Sequence, residues 1–181
     1  MKTFIIHYSP LKERREHMEL QLKSFNISAE WVTQHDREDL TIEDLEFWKG
    51  KLKRSDSPGF PARVSIFKKM IYAWEQIASK HEVGLVLEDD AVLCGDFPAK
   101  LNINQLPPSW DYLNVGNGSG RMHIPFAPTS KGNVFRRTPE PTKWGGNGVT
   151  RGNDCYALKA SGARKLLDEI NSNENLTQKQ K

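Results

Sequence analysis

Cysteine is scarce in this sequence, which has two in 181 residues, Cys94 and Cys155. They form no Cys-x-x-Cys pair and belong to no cluster with histidine. The pattern therefore indicates neither a zinc site nor a disulfide framework. We expect both cysteines to be ordinary free thiols.

Long apolar runs are absent as well. No stretch approaches the roughly 20 consecutive apolar residues that cross a bilayer. Residues 1–25 lack the order of a secretory signal, because charged residues at positions 12–16 interrupt any apolar segment there. The sequence predicts a chain that starts near Met1, has no transmembrane segment and is cytoplasmic. Peripheral membrane contact stays open.

The sequence also lacks a strong excess of one charge. Its net charge of +3 is too small to predict nucleic acid as a partner. Basic residues do cluster locally after an acidic stretch at positions 43–46, at Lys49, Lys51, Lys53 and Arg54. This cluster is either a solvated face or a contact for a phosphate or an anionic acceptor.

What remains is the composition of an ordinary globular domain. With 181 residues, 37% of them hydrophobic and 27% charged, the chain can bury one substantial core and is short for two domains. We predict a single domain over residues 1–170, followed by a polar C-terminal tail over residues 171–181.

Strand patterns alternate with helix patterns along the chain. Short apolar runs predict strands at residues 3–6, 29–33, 83–87, 111–115 and 155–158. Apolar residues spaced three and four apart predict helices at residues 10–24, 67–78 and 161–170. Thr41, with an acid three residues later, predicts another helix start, and Ser161 is predicted to cap the last helix. The alternation favours an α/β fold with an open, mostly parallel sheet flanked by helices.

Three acids, Glu88, Asp89 and Asp90, directly follow the apolar run at residues 83–87. Ligands bind beyond the carboxyl ends of strands in open α/β sheets. Because side chains alternate along an extended backbone, we expect Glu88 and Asp90 to project to one side and Asp89 to the other. Two carboxylates on one side suit Mg²⁺ or Mn²⁺, which takes waters or substrate phosphates as its other ligands. The alternative is that these acids cap a turn or lie in solvent.

The acidic triplet belongs to a longer pattern. The sequence VLEDDA at residues 86–91, preceded by AWE at residues 73–75, resembles the central signature of glycosyltransferase family 25. This family includes bacterial lipooligosaccharide galactosyltransferases and collagen galactosyltransferase domains. Its opening, an apolar strand, a short loop and paired arginines, is similar to residues 5–15. Residues 110–116 and 156–167 resemble its later strands and last helix.

This resemblance implies a GT-A-type fold and inverting transfer of a hexose, galactose or glucose, from a UDP-sugar to a glycan or protein hydroxyl, as in lipopolysaccharide biosynthesis. It implies a divalent metal, Mn²⁺ or Mg²⁺, on Asp90 and Glu88. The residues it implies for nucleotide-sugar binding are His7, Arg14, Arg15, Glu88 and Asp89.

The paired arginines also have a physical argument of their own. Arg14 and Arg15 lie near the start of a predicted helix, where free N–H groups and a guanidinium suit a diphosphate. A plain surface role for one of the two is the alternative. The sequence departs from the family pattern at Lys69-Met70, where the family carries a Ser-His pair.

A transfer reaction also needs a carboxylate to deprotonate the acceptor hydroxyl. A glycine-rich stretch over residues 116–152 is interpreted as the acceptor and closure region. Asp154 is the first candidate for the base, because it follows this stretch and precedes a predicted strand. Glu140 and Asp111 are rivals, and Asp154 itself has an alternative role as a turn residue.

Two other functions fit parts of the pattern. A divalent-metal phosphoesterase would use clustered acids around two ions, but the histidines show no ligand spacing. A non-catalytic, truncated glycosyltransferase remnant that binds saccharide is the second alternative. The donor sugar, acceptor and linkage are not specified by the sequence.

Overall fold

The apolar runs form five strands in the computed structural model, which describes residues 1–52, 55–95, 97, 101, 103–106, 108–115 and 155–178, with side chains of the last helix described to residue 172. The strands are β1 (Lys2–Ile6), β2 (Ala29–Val32), β3 (Val83–Glu88), β4 (Tyr112–Asn114) and β5 (Cys155–Lys159). Each strand end lies within one residue of its predicted position, so the hydrophobic pattern located the strands correctly.

Four helices accompany these strands in the described ranges. They are α1 (Lys12–Ser24), α2 (Ile42–Lys49), α3 (Phe60–Lys80) and α4 (Ala160–Gln178). The predicted cap at Thr41 is confirmed: its hydroxyl accepts from the Asp44 amide at 3.1 Å, and the Asp44 carboxylate accepts from the Thr41 amide at 3.2 Å. The predicted cap at Ser161 is wrong, because α4 already begins at Ala160 and the Ser161 hydroxyl donates to Asp111 instead.

The sheet has the strand order β2-β1-β3-β5-β4. β1 pairs in parallel with β2 and β3, whereas β5 is antiparallel to both β3 and β4. The described sheet is therefore open and mixed: β1, β2, β3 and β4 run in one direction and β5 runs against them, so the prediction of a mostly parallel sheet fails only at β5. An apolar run indicates that a strand is buried, but its direction depends on the path of the chain between strands.

Helices cover both faces of the sheet. On one face, Phe4 and Val86 are buried against α3 and α4. On the other face, Ile5 and Leu87 are buried with Met18 of α1. The described part of the chain is thus a single α/β domain with three layers, and none of its helices has the length and apolar character to cross a bilayer.

Two glycines allow close packing between layers. A Cβ atom on Gly84 in β3 would lie 2.3 Å from side-chain atoms of Ile77 in α3. A Cβ atom on Gly162 in α4 would lie 2.5 Å from the Asp111 carbonyl oxygen. The helix α4 continues to Gln178, into the segment 171–181 that the sequence predicts to be a polar tail.

The chain order creates a crevice at one edge of the sheet. β1 lies between β2 and β3, and the carboxyl ends of these three parallel strands share that edge. α1 packs on one face and α3 on the other, so the connections diverge there. Such a switch point is where open α/β sheets bind ligands.

Candidate functional site

The candidate site lies where β1 and β3 end side by side. The Asp89 amide donates to the Ile6 carbonyl at 3.1 Å and so continues the ladder between the two strands for one more residue. This pairing brings His7, the residue after β1, next to Asp89, the residue after β3. Two polar side chains that are 82 positions apart in sequence therefore meet at the carboxyl edge of the sheet.

Asp89 is the buried centre of the site, with a relative exposure of 6%. One carboxylate oxygen, Oδ2, lies 2.8 Å from His7 Nδ1 and accepts from the Tyr8 amide at 3.3 Å. The other oxygen, Oδ1, accepts from Arg14 Nη1 at 3.0 Å. Both oxygens are thus held by protein donors, as a buried carboxylate requires.

Arg14 joins Asp89 to Asp90. Its Nη1 atom donates to Asp89 Oδ1 and to Asp90 Oδ2, each at 3.0 Å. The hydrogen bond to Asp89 and the two negative charges raise the pKa of Arg14, so its guanidinium is firmly cationic. Arg14 is in the first turn of α1, and its side chain is 46% exposed beside the half-exposed Asp90.

The acidic triplet does not follow the predicted alternation throughout. β3 ends at Glu88, and Asp89 and Asp90 form a turn, so the rule for extended backbone stops applying at Glu88. Because Asp89 and Asp90 bond the same Arg14 nitrogen, the prediction that they point to opposite sides is wrong.

A cavity of about 230 Å³ opens in front of these groups. Its lining combines three acids, three cationic side chains, polar residues and several apolar residues. The residues are Ile6, His7, Tyr8, Leu11, Arg14, Arg37, Ala62, Ser65, Ile66, Lys69, Glu88, Asp89 and Asp90. The structure therefore brings together five residues predicted from the sequence, His7, Arg14, Glu88, Asp89 and Asp90.

Arg15, the sixth residue predicted to contact the nucleotide sugar or its metal, does not line the cavity. Its guanidinium lies 4.7 Å from the Trp31 ring centroid, and its Nε donates to Glu19 at 2.9 Å. The sequence held a signal for this difference, because Arg14 is spaced by four and eight residues from Met18 and Leu22, the buried residues of α1. Arg14 therefore belongs to the stripe of α1 that faces the sheet.

Asp111 does not reach the site. Tyr112, the next residue, is level with Gly84 near the start of β3, because both pair with Leu158. Asp111 binds Lys165 and the Ser161 hydroxyl, and these hydrogen bonds lower its pKa. Asp111 thus lies at the opposite end of β3 from Glu88.

Several predictions lie outside the described residues. These are the first candidate base Asp154, its rival Glu140, the glycine-rich stretch 116–152, and two members of the basic cluster, Lys53 and Arg54. The cluster's other two members make local contacts: Lys49 pairs with Glu46 at 3.1 Å, and Lys51 Nζ lies 3.5 Å from the Phe47 ring centroid.

Sequence reasoning missed the basic and acidic groups beside β1. Lys69 of α3 is 1% exposed and donates to the His7 carbonyl and the Asp36 carboxylate. The signal was a lysine spaced four residues from Ser65 and Ala73 on the buried face of α3. Such a position is normally apolar, and a charge there indicates a partner.

The loop after β2 adds an exposed cluster. The Arg37 guanidinium stacks 4.3 Å from the Tyr8 ring centroid and donates to the Tyr8 hydroxyl, which in turn donates to Glu38 at 2.5 Å. The hydrogen bond to Glu38 raises the pKa of Tyr8. The loop is held against α3 at His35, which has the left-handed φ of 67° and accepts from the Ser65 hydroxyl.

The chemistry of the carboxylates determines which metal site they could form. Asp89 uses both oxygens for protein donors, and Asp90 Oδ2 accepts from Arg14. All three acids, Glu88, Asp89 and Asp90, line the cavity. Among the described residues, no group of three or more histidine, cysteine or acidic side chains is arranged to hold a metal ion. Two carboxylates fit Mg²⁺ or Mn²⁺ when substrate phosphates complete the coordination.

Comparison with known proteins finds no family model that matches the chain and no matching curated protein.

Proposed function

We propose that this protein is an inverting, metal-dependent glycosyltransferase that moves a hexose, galactose or glucose, from a UDP-sugar to a hydroxyl of a glycan or protein. One observation carries the proposal. The acidic triplet and Arg14 line one cavity at the carboxyl edge of the sheet, where connections diverge on either side of β1. The resemblance to family 25 supports the same conclusion from the sequence motifs.

Arg14 and the acids have different roles in binding the UDP-sugar donor. Glu88 and Asp90 would hold Mn²⁺ or Mg²⁺, which when bound neutralises the departing diphosphate as a Lewis acid. Arg14 is cationic, borders the cavity and donates from a half-exposed position, so it can turn to a phosphate oxygen. Asp89 holds Arg14 and His7 in place, and it supports binding of the nucleotide sugar through these two residues.

The transfer itself needs a base. In an inverting displacement, the acceptor oxygen bonds to the anomeric carbon, the bond from that carbon to the diphosphate oxygen breaks, and a carboxylate takes the acceptor proton. We propose Asp154 for this role. Support comes from Cys155, its neighbour in sequence, which pairs with Leu87 beside the end of β3.

The phosphoesterase alternative has less support. Catalysis by two metal ions needs several shared ligands about the ions. The described residues contain no group of three or more suitable side chains, whereas a glycosyltransferase can use the donor's own phosphates. We further propose a cytoplasmic location, in keeping with the sequence expectations.

A donor screen tests the proposed function. Purified protein is incubated with Mn²⁺ and each common UDP-sugar, and released UDP is measured with and without a chelator. Asp90→Asn serves as the matched inactive variant, and a chromogenic phosphodiester is assayed in parallel. Chelator-sensitive UDP release supports the transferase. Phosphodiester cleavage without UDP release would favour the phosphoesterase, and saccharide binding that is insensitive to chelator would favour the remnant.

A further inference from the structure

Lys69 is a buried charge whose position in the helix calls for an apolar residue. It lies on the inner face of α3 with Ser65 and Ala73, and it is 1% exposed. An ammonium group taken from water into such a place is costly unless it is paired and hydrogen-bonded. Because a methionine or leucine would fill the same space without this cost, burial alone does not account for the lysine.

The Lys69 ammonium connects the ends of two strands. Its Nζ donates to the carbonyl of His7, directly after β1, and to the carboxylate of Asp36 in the loop after β2. Asp36 also accepts from the Ser9 amide at 3.2 Å. Burial acts to raise the pKa of Asp36, but the hydrogen bonds from Lys69 and Ser9 outweigh it, and the pKa lies below its usual value.

The segment that Lys69 holds is the one that holds Asp89. Lys69 and Asp36 fix residues 7–9 from one side. On the other side, the ring of His7 and the amide of Tyr8 both contact Asp89 Oδ2. The second oxygen of Asp89 binds Arg14. Hydrogen bonds thus link Lys69 to the Arg14 guanidinium by way of the His7 residue, whose carbonyl binds Lys69 and whose ring binds Asp89.

We propose that Lys69 is a positioning residue of the nucleotide-sugar site: it holds residues 7–9 in the geometry in which His7, Asp89 and Arg14 meet. This inference rests on the proposed function for its substrate and on the hydrogen bonds for its mechanism. It assigns Lys69 a role beyond packing, in a region where the sequence departs from the family pattern.

A double substitution separates positioning from charge pairing. Lys69→Met alone leaves the buried carboxylate of Asp36 without its cation. The melting temperature of this variant should therefore fall sharply. Lys69→Met with Asp36→Asn removes both charges at similar volume, and replacing both members of a buried pair is often neutral for stability. We expect the double variant to regain most of the melting temperature and yet to bind UDP with Mn²⁺ at least tenfold more weakly than the parent, as measured by calorimetry. Recovery of UDP affinity together with stability would overturn the proposal.

The neighbouring pair on α3 is the matched control. Lys68 Nζ binds the carboxylate of Asp44 in α2, and neither residue borders the cavity. Lys68→Met with Asp44→Asn likewise removes both charges of a pair, and it should leave UDP affinity unchanged. An equal loss of UDP affinity in this control would assign the effect to general loosening of α3 and would overturn the proposal.

A measurement without ligand keeps the inference distinct from the proposed function. The ring ¹⁵N shifts of His7 report its contact with Asp89, and positioning predicts that they change in the double Lys69 variant but not in the control. If the parent binds no UDP, the proposed function fails and these shifts alone decide the role of Lys69. Because Lys69 itself lines the cavity, Asp36→Asn separates positioning from direct contact with UDP, and it also decides if the double variant does not fold. Asp36 does not border the cavity, so positioning requires a change in the His7 shifts, and unchanged shifts would refute it.

Discussion

The two adjacent aspartates should lose different amounts of stability on the same substitution. Asp89→Asn and Asp90→Asn each remove one negative charge and keep the side-chain shape. Asp89 is 6% exposed and accepts from Tyr8 and Arg14, with His7 Nδ1 also in hydrogen-bond contact. The Asp90 side chain is half exposed, and its described hydrogen bond comes from a half-exposed Arg14.

The expected magnitudes follow from these contacts. In Asp89→Asn the amide oxygen can keep the contacts with His7 and Tyr8, but the amide nitrogen then faces the Arg14 donor. The loss of one hydrogen bond between charged groups destabilises by roughly 1.5–3 kcal/mol. For a chain of this length, that lowers the melting temperature by roughly 3–12 °C. An exposed ion pair contributes at most about 1 kcal/mol, so Asp90→Asn should stay within about 4 °C of the parent.

Urea unfolding followed by tryptophan fluorescence measures both free energies. The buffer contains a chelator, so that bound metal adds nothing to the stability of the parent. A loss of unfolding free energy in Asp89→Asn that is clearly larger than the loss in Asp90→Asn supports the assignment of Asp89 as the buried centre. Equal losses, or a larger loss in Asp90→Asn, would refute it.

Further outcomes follow from the same geometry. Asp90→Asn should abolish Mn²⁺-dependent turnover of the UDP-sugar while the unfolding transition is kept, and full activity would remove Asp90 from the metal site. Arg14→Met should bind UDP roughly tenfold or more weakly, the loss of about 1.5–3 kcal/mol, whereas Arg15→Met should bind it normally by calorimetry. Arg14→Met should also bind Mn²⁺ alone more tightly in a relaxation titration, because its Nη1 no longer occupies Asp90. Gly162→Ala should destabilise by about 1–3 kcal/mol in urea despite the better helix propensity of alanine, since the new Cβ meets a backbone carbonyl. The hydrogen bond from Lys68 lowers the pKa of Asp44, so this acid stabilises the fold above about pH 4 and loses that contribution as pH falls through its folded pKa. The stability difference between the parent and Asp44→Asn should therefore shrink from about pH 7 to about pH 3.

Much of the candidate site was accessible from sequence because its signals are local. The apolar run of β3 and the acids after it are consecutive, and the rule that ligands bind at carboxyl strand ends needs only the fold class. The choice of Arg14 over Arg15 was also encoded, since Arg14 shares a helical stripe with the buried Met18.

The groups that sequence reasoning missed depend on long-range contacts. Lys69 and Asp36 are 33 positions apart, and neither has a local pattern that identifies the other. The contact between His7 and Asp89 follows only from the register of β1 against β3. The rule that successive side chains point to opposite sides also fails at Asp89 and Asp90, because it holds only for extended backbone and these residues form a turn.

The sequence by itself determined where the strands form, that helices lie between them and that acids follow a buried strand, because hydrophobic periodicity acts over a few residues. Only the tertiary structure decided the antiparallel direction of β5, the burial of Asp89 between His7 and Arg14, and the link from Lys69 to the ends of β1 and β2. These features depend on which distant segments pack together. A buried charge persists only where such packing supplies its partners.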